Sequence, residues 1–75
     1  MSKLLNLLNK LVSKVPLHKV PEFLKFAKDF AAAAAKKGAA ALEKIINFVK
    51  NNPGKIIDWF LKGYSVYDII RIILG

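Results

Sequence analysis

The groups in this 75-residue chain that could move a proton or hold a metal are few: one histidine, three serines, five carboxylates, and neither cysteine nor threonine. His18 lies between Pro16 and Pro21, with no second imidazole or thiolate to share a metal and no carboxylate placed to orient it as a base. It reads as a solvated loop side chain. No phosphate-binding loop or dinucleotide glycine fingerprint occurs, and without cysteine there is neither a disulfide nor a thiolate nucleophile. Asp58 and Lys62 are four residues apart, and Asp68 and Arg71 three apart, spacings at which helical side chains meet as surface ion pairs. The expectation is a protein without catalysis, cofactor, metal or small-molecule substrate.

The remaining chemistry is charge set against hydrophobicity. Thirteen Lys and Arg face five Asp and Glu, a formal net charge of +8, in a chain that is 55% hydrophobic with a mean hydropathy of +0.34. A disordered basic tail would be poor in apolar residues, so disorder is excluded, and the length allows one small domain covering residues 1–75. Such a basic balance points to phosphate, either of nucleic acid or of an anionic membrane. Twelve of the thirteen cations are lysine, Arg71 being the exception. Base-edge readout favours the bidentate guanidinium, so sequence-specific nucleic-acid binding is disfavoured, while nonspecific phosphate contact stays open. Residues 1–37 hold eight lysines against two acids, and residues 38–75 five cations against three, which concentrates the charge in the first half.

No stretch without a charged residue exceeds six residues, far short of the roughly 18 apolar residues of a spanning helix. The opening MSKLLNLLNKLVSK has a basic start, but Asn6, Asn9 and Lys10 interrupt its apolar part and no small-residue cleavage site follows. It does not fit a signal peptide, and if the chain is exported, export as written, with Met1 retained, is the expectation. Pro16, Pro21, Gly38, Pro53 and Gly63 divide the chain into intervals of helical periodicity, with no strand pattern. An all-α, compact bundle of about five short amphipathic helices is predicted.

The first helix, about residues 3–14, puts Leu4, Leu5, Leu8, Leu11, Val12 and Val15 on one face. Pro21 and Glu22 suit a first turn, giving a second helix to about Lys37 with Phe23, Leu24, Ala27, Phe30, Ala31 and Ala34 inward and a stop at Gly38. The third, about Ala39 to Lys50, presents Leu42, Ile45, Ile46 and Val49. Asn52 is expected to cap a fourth helix that has Pro53 in its first position and Gly63 after its end. Ser65 followed by Asp68 resembles a capping box opening a fifth helix at Val66.

Leu7, Phe26, Phe48, Trp59 and Ile72 fall off these inward stripes, each about a quarter turn or more away or flanked by charge. Two readings compete. Either the bundle buries some helices on more than one side, or Trp59 and Phe48 are interfacial anchors, since a tryptophan bordered by Lys55 and Lys62 suits the headgroup boundary. On the second reading the membrane-contacting residues are Lys3, Lys10, Lys14, Lys25, Lys28, Lys44, Phe48, Lys55, Trp59 and Lys62. Six lysines at an anionic surface contribute roughly 6 kcal/mol, and one or two inserted aromatics bring the affinity to about micromolar.

The C-terminal third carries a resemblance. Gly54-Lys55-Ile56-Ile57-Asp58-Trp59-Phe60-Leu61, then Gly63, then Ser65-Val66-Tyr67-Asp68-Ile69-Ile70-Arg71-Ile72-Ile73-Leu74-Gly75 resembles the end of the lacticin Q and aureocin group of leaderless bacteriocins. The resemblance implies a cationic helical peptide of saposin-like fold, made without a leader and exported by a dedicated transporter. It further implies secretion, with killing of related Gram-positive bacteria by membrane permeabilisation. Trp59 and Lys55 match a tryptophan of that group and its preceding lysine, and carry over as membrane-contacting candidates. This chain departs in its length, its single tryptophan, Pro16, Pro21 and the alanine tract Ala31 to Ala35.

The implied partner is an anionic phospholipid membrane, with oligomers able to form on it. Three alternatives stand beside this one. A head-to-tail circular bacteriocin of the enterocin type would continue an apolar stripe from Ile69 and Ile73 through Met1 to Leu4, Leu5 and Leu8. The others are a small basic nucleic-acid-binding helical module and a helical bundle without a partner.

Overall fold

The computed structural model describes residues 2–75, and the stripe proposed to pass through Met1 therefore lies outside the described residues. Among them are five α-helices and no strand: α1 (Ser2–Lys10), α2 (Val20–Ala35), α3 (Ala39–Asn51), α4 (Pro53–Leu61) and α5 (Val66–Leu74). The predicted all-α bundle of five short helices is the fold. The predicted first helix is shorter than its apolar stripe, since the chain tightens into a 3-10 segment at Leu11–Lys14 before Val15 turns extended ahead of Pro16. A residue preceding proline is disfavoured in the α region, which accounts for that exit. A second 3-10 turn, Leu17–Lys19, occupies the connection and carries His18 exposed to solvent.

α2 packs on α1, α3 and α5, and α3 also meets α1, α4 and α5, so these two helices form the middle of a body measuring 34 × 22 × 20 Å. Phe23 and Phe30 of α2, Leu4 and Leu8 of α1, Ile45 and Val49 of α3, Ile56 of α4, and Ile69 and Ile70 of α5 are fully buried. Each such side chain contributes about 1.5–3 kcal/mol by leaving water, and this is the source of stability in a chain with no disulfide. Phe60 meets Phe23 edge-on at 5.1 Å, and Phe26 sits beside Phe23, Phe30 and Phe60 at 5.6, 5.8 and 5.0 Å.

One expectation about an inward face needs correction. Leu24 is 41% exposed, because it stands about 100° round α2 from Phe23, at the edge of the buried arc, where a long side chain extends into solvent. Ala31, close to the same edge, is buried because its side chain ends at Cβ. Conversely, Leu7, Phe26, Phe48 and Trp59 are half-buried and packed against the core, as expected where helices are covered on more than one side. Ile72 remains 48% exposed.

The helix boundaries follow local chemistry. Gly38, at φ +96°, ends the turn after α2 in a conformation that side-chain-bearing residues rarely adopt. The Ser65 hydroxyl accepts a bond from the Asp68 N–H at 3.1 Å, so the predicted cap of α5 is formed. Asn52 does not cap α4 with its side chain. Its amide nitrogen instead donates back to the Phe48 carbonyl at 3.3 Å, beside its own backbone N–H at 2.8 Å, and so closes the end of α3. Pro53 forces this arrangement by disfavouring the helical conformation at Asn52, which sits at φ −135° and ψ 55°.

Candidate functional site

With Asn52 as the whole connection between them, α3 and α4 meet at a sharp corner. Phe48, four residues before the corner, comes to lie flat on Trp59, seven after it: the rings are stacked with centroids 5.7 Å apart and planes 10° from parallel. Beyond Gly63, at φ +86°, the chain doubles back so that the Tyr64 N–H donates to the Trp59 carbonyl at 3.0 Å and the Gly63 N–H to that of Phe60 at 3.1 Å. This is the paired closure of a Schellman ending, in which the residue after glycine contacts the third residue from the helix end. Tyr64 accordingly stacks on Trp59 at 6.3 Å and 24°. The result is a continuous shelf of three rings, half-buried at Phe48 and Trp59 and 40% exposed at Tyr64.

The lysines named from the sequence, Lys3, Lys10, Lys14, Lys25, Lys28, Lys44, Lys55 and Lys62, are all exposed. They are not all in the same state. Lys62 is held by Asp58 at 3.0 Å, and the hydrogen bond and charge of that carboxylate raise its pKa above the usual 10.5. Lys44 donates to the Leu74 carbonyl at 3.4 Å, where a cation complements the negative end of α5. The predicted Asp68–Arg71 pair forms at 3.7 Å, and Lys19 with Glu22, not anticipated from spacing, forms another at 3.7 Å. Ten of the thirteen cations, Lys44 among them, have no acidic partner among the described residues.

No family model, characterised protein or solved structure matches this chain. Its chemistry therefore has to be read from its own geometry. The structure brings Phe48 together with Trp59 and adds Tyr64, which sequence periodicity misses because the glycine turn breaks the 3.6-residue repeat. The signal was present as a glycine followed by an aromatic residue at the predicted end of α4. It also brings Lys3 and Lys10 of α1 into one groove with Lys50 of α3, a lysine absent from the candidates, around Asn6 and Leu7. Leu61, Tyr67 and Ile72, at 48, 66 and 48% exposure, and Leu17, at 89%, are further apolar side chains left facing water. Among the described residues no group of three His, Cys, Asp or Glu could hold a metal ion. No helix among them is long and apolar enough to cross a membrane.

Proposed function

We propose that this protein is a secreted cationic antimicrobial peptide of the leaderless bacteriocin kind, which binds anionic bacterial membranes and permeabilises them. The observation that carries the reading is the Phe48–Trp59–Tyr64 shelf in a protein ten of whose thirteen cations have no acidic partner among the described residues. Aromatic rings with one wet edge suit the headgroup boundary, and lysines near an anionic leaflet contribute about 1 kcal/mol each. The exposed Leu61, Tyr67 and Ile72 add apolar surface.

Binding and permeabilisation make different demands. The longest helix, α2 at 16 residues, reaches about 24 Å, short of the roughly 30 Å hydrocarbon layer. Leakage therefore requires the bundle to open, several molecules to act together, or lipid to bend into the defect. The test is dye release from phosphatidylglycerol-rich and from phosphatidylcholine vesicles at micromolar protein, with membrane potential followed in Gram-positive cells. Release from the anionic vesicles alone is expected, and release from neither overturns the proposal.

A further inference from the structure

Among the described residues, a groove at α1 and α3 brings cations together without a counter-charge. Lys3, Asn6, Leu7 and Lys10 occupy successive positions of one face of α1, and Lys50 reaches the same space from the last turn of α3. Together they line an open groove of about 370 Å³. None of its lining residues is acidic, and none of the three lysines has an ion-pair partner among the described residues. Three other grooves differ. The one that shares Lys3 contains Glu43, the one at Lys25 contains Glu22 and Asp29, and the one at Lys37 contains Arg71, already paired with Asp68.

Three ammonium groups around one cleft repel one another until an anion enters, and the Asn6 amide adds a neutral donor. Leu7, half-buried and packed on the core, supplies an apolar patch among these donors. Phosphate satisfies the lysines, but a free anion leaves Leu7 unused. We propose that this groove is a binding site for the phosphate of a membrane phospholipid. Lys3, Lys10 and Lys50 hold the headgroup phosphate, and Leu7 meets the glycerol and the first acyl methylenes. The choice of a lipid as the source of the phosphate rests on the membrane reading above, whereas the phosphate chemistry rests on the groove alone.

The experiment has two parts. In the first, wild-type protein is titrated with short-chain phosphatidylglycerol below its micelle concentration, or with inorganic phosphate at matched ionic strength. NMR shifts are followed at Lys3, Leu7, Lys10 and Lys50. Saturable shifts with the lipid at concentrations where phosphate gives none are expected. Saturation by phosphate at the same concentrations overturns the lipid assignment and leaves a free-phosphate site, and saturation by neither overturns the site altogether.

In the second part, binding to phosphatidylglycerol vesicles is compared for two triple variants with the same change in charge, after circular dichroism shows helicity unchanged. Lys3→Gln, Lys10→Gln, Lys50→Gln is expected to bind about a hundredfold more weakly, and Lys19→Gln, Lys36→Gln, Lys37→Gln, outside both the groove and the membrane-contacting candidates, less than about threefold. Equal losses overturn the proposal in favour of diffuse attraction. Should the groove variant fail to fold, the wild-type titration decides. If the wild type binds no vesicle, the membrane reading fails while the titration still decides the groove.

Discussion

Tyr64 is joined to Trp59 twice: its N–H donates to the Trp59 carbonyl at 3.0 Å, and its ring stacks on the indole at 6.3 Å. The backbone bond and the ring contact depend on the same left-handed turn at Gly63, so the end of α4 and the outer edge of the aromatic shelf form as one unit.

Gly63→Ala is therefore expected to destabilise the fold by about 1 kcal/mol, because a Cβ is strained at φ +86° even though nothing crowds it. Gly54→Ala, inside α4 and also facing open space, should stabilise by about 0.5–1 kcal/mol through better helix propensity. Urea denaturation of the two variants against wild type checks the opposite signs.

Trp59→Ala removes a half-buried ring stacked with both Phe48 and Tyr64, and a loss of about 2 kcal/mol is expected from burial and stacking together. A double-mutant cycle with Phe48→Leu should yield a coupling energy of about 1 kcal/mol. A coupling near zero would show that the parallel rings contribute nothing beyond their separate burial.

Phe23 is fully buried against Phe26 and Phe60. Replacing it with alanine should cost about 3–5 kcal/mol, comparable with the whole stability of a domain this small, so Phe23→Ala should lose cooperative thermal unfolding at room temperature. Leu24→Ala, one residue along but 41% exposed, should cost less than about 1 kcal/mol. Circular dichroism melts separate the two.

The Asp58 carboxylate, by hydrogen bond and by charge, raises the Lys62 pKa above 10.5. Since the folded-state value is the higher one, the pair's stabilisation is complete below pH 10.5 and fades as pH rises through the raised pKa. The small excess stability of wild type over Asp58→Asn should persist at about pH 9, decline as pH rises above 10.5, and shrink in high salt. Thermal midpoints of both proteins across that range, measured against the titration of the other lysines they share, test the sign.

The succession of helices was legible because the cues are local. Pro53 cannot donate in a helix interior, Gly38 and Gly63 permit left-handed turns, and Ser65 stands three residues before Asp68. The pairs Asp58–Lys62 and Asp68–Arg71 followed from the 3.6-residue repeat in the same way. The core was legible where apolar residues recur along a single stripe of a helix, as at Leu4, Leu8, Ile45, Val49, Ile69 and Ile73.

What lies between elements could not be read from spacing, since distance along the chain does not encode distance across it. Sequence periodicity leaves Phe26, Phe48 and Trp59 off their stripes. Only the packing of α2 against Phe60, and the one-residue corner at Asn52, decided that they pack on the core and on other rings. The side chain of Asn52 could serve either helix, and the backbone angles imposed by Pro53 turned it toward Phe48. Lys50 joined Lys3 and Lys10, forty residues and more away in sequence, because α1 and α3 bury their apolar faces against each other and carry their lysines along. The residues alone determined an all-helical, strongly cationic chain with more apolar side chains than one stripe per helix can use. Tertiary packing decided which of those side chains left water and which cations share a groove.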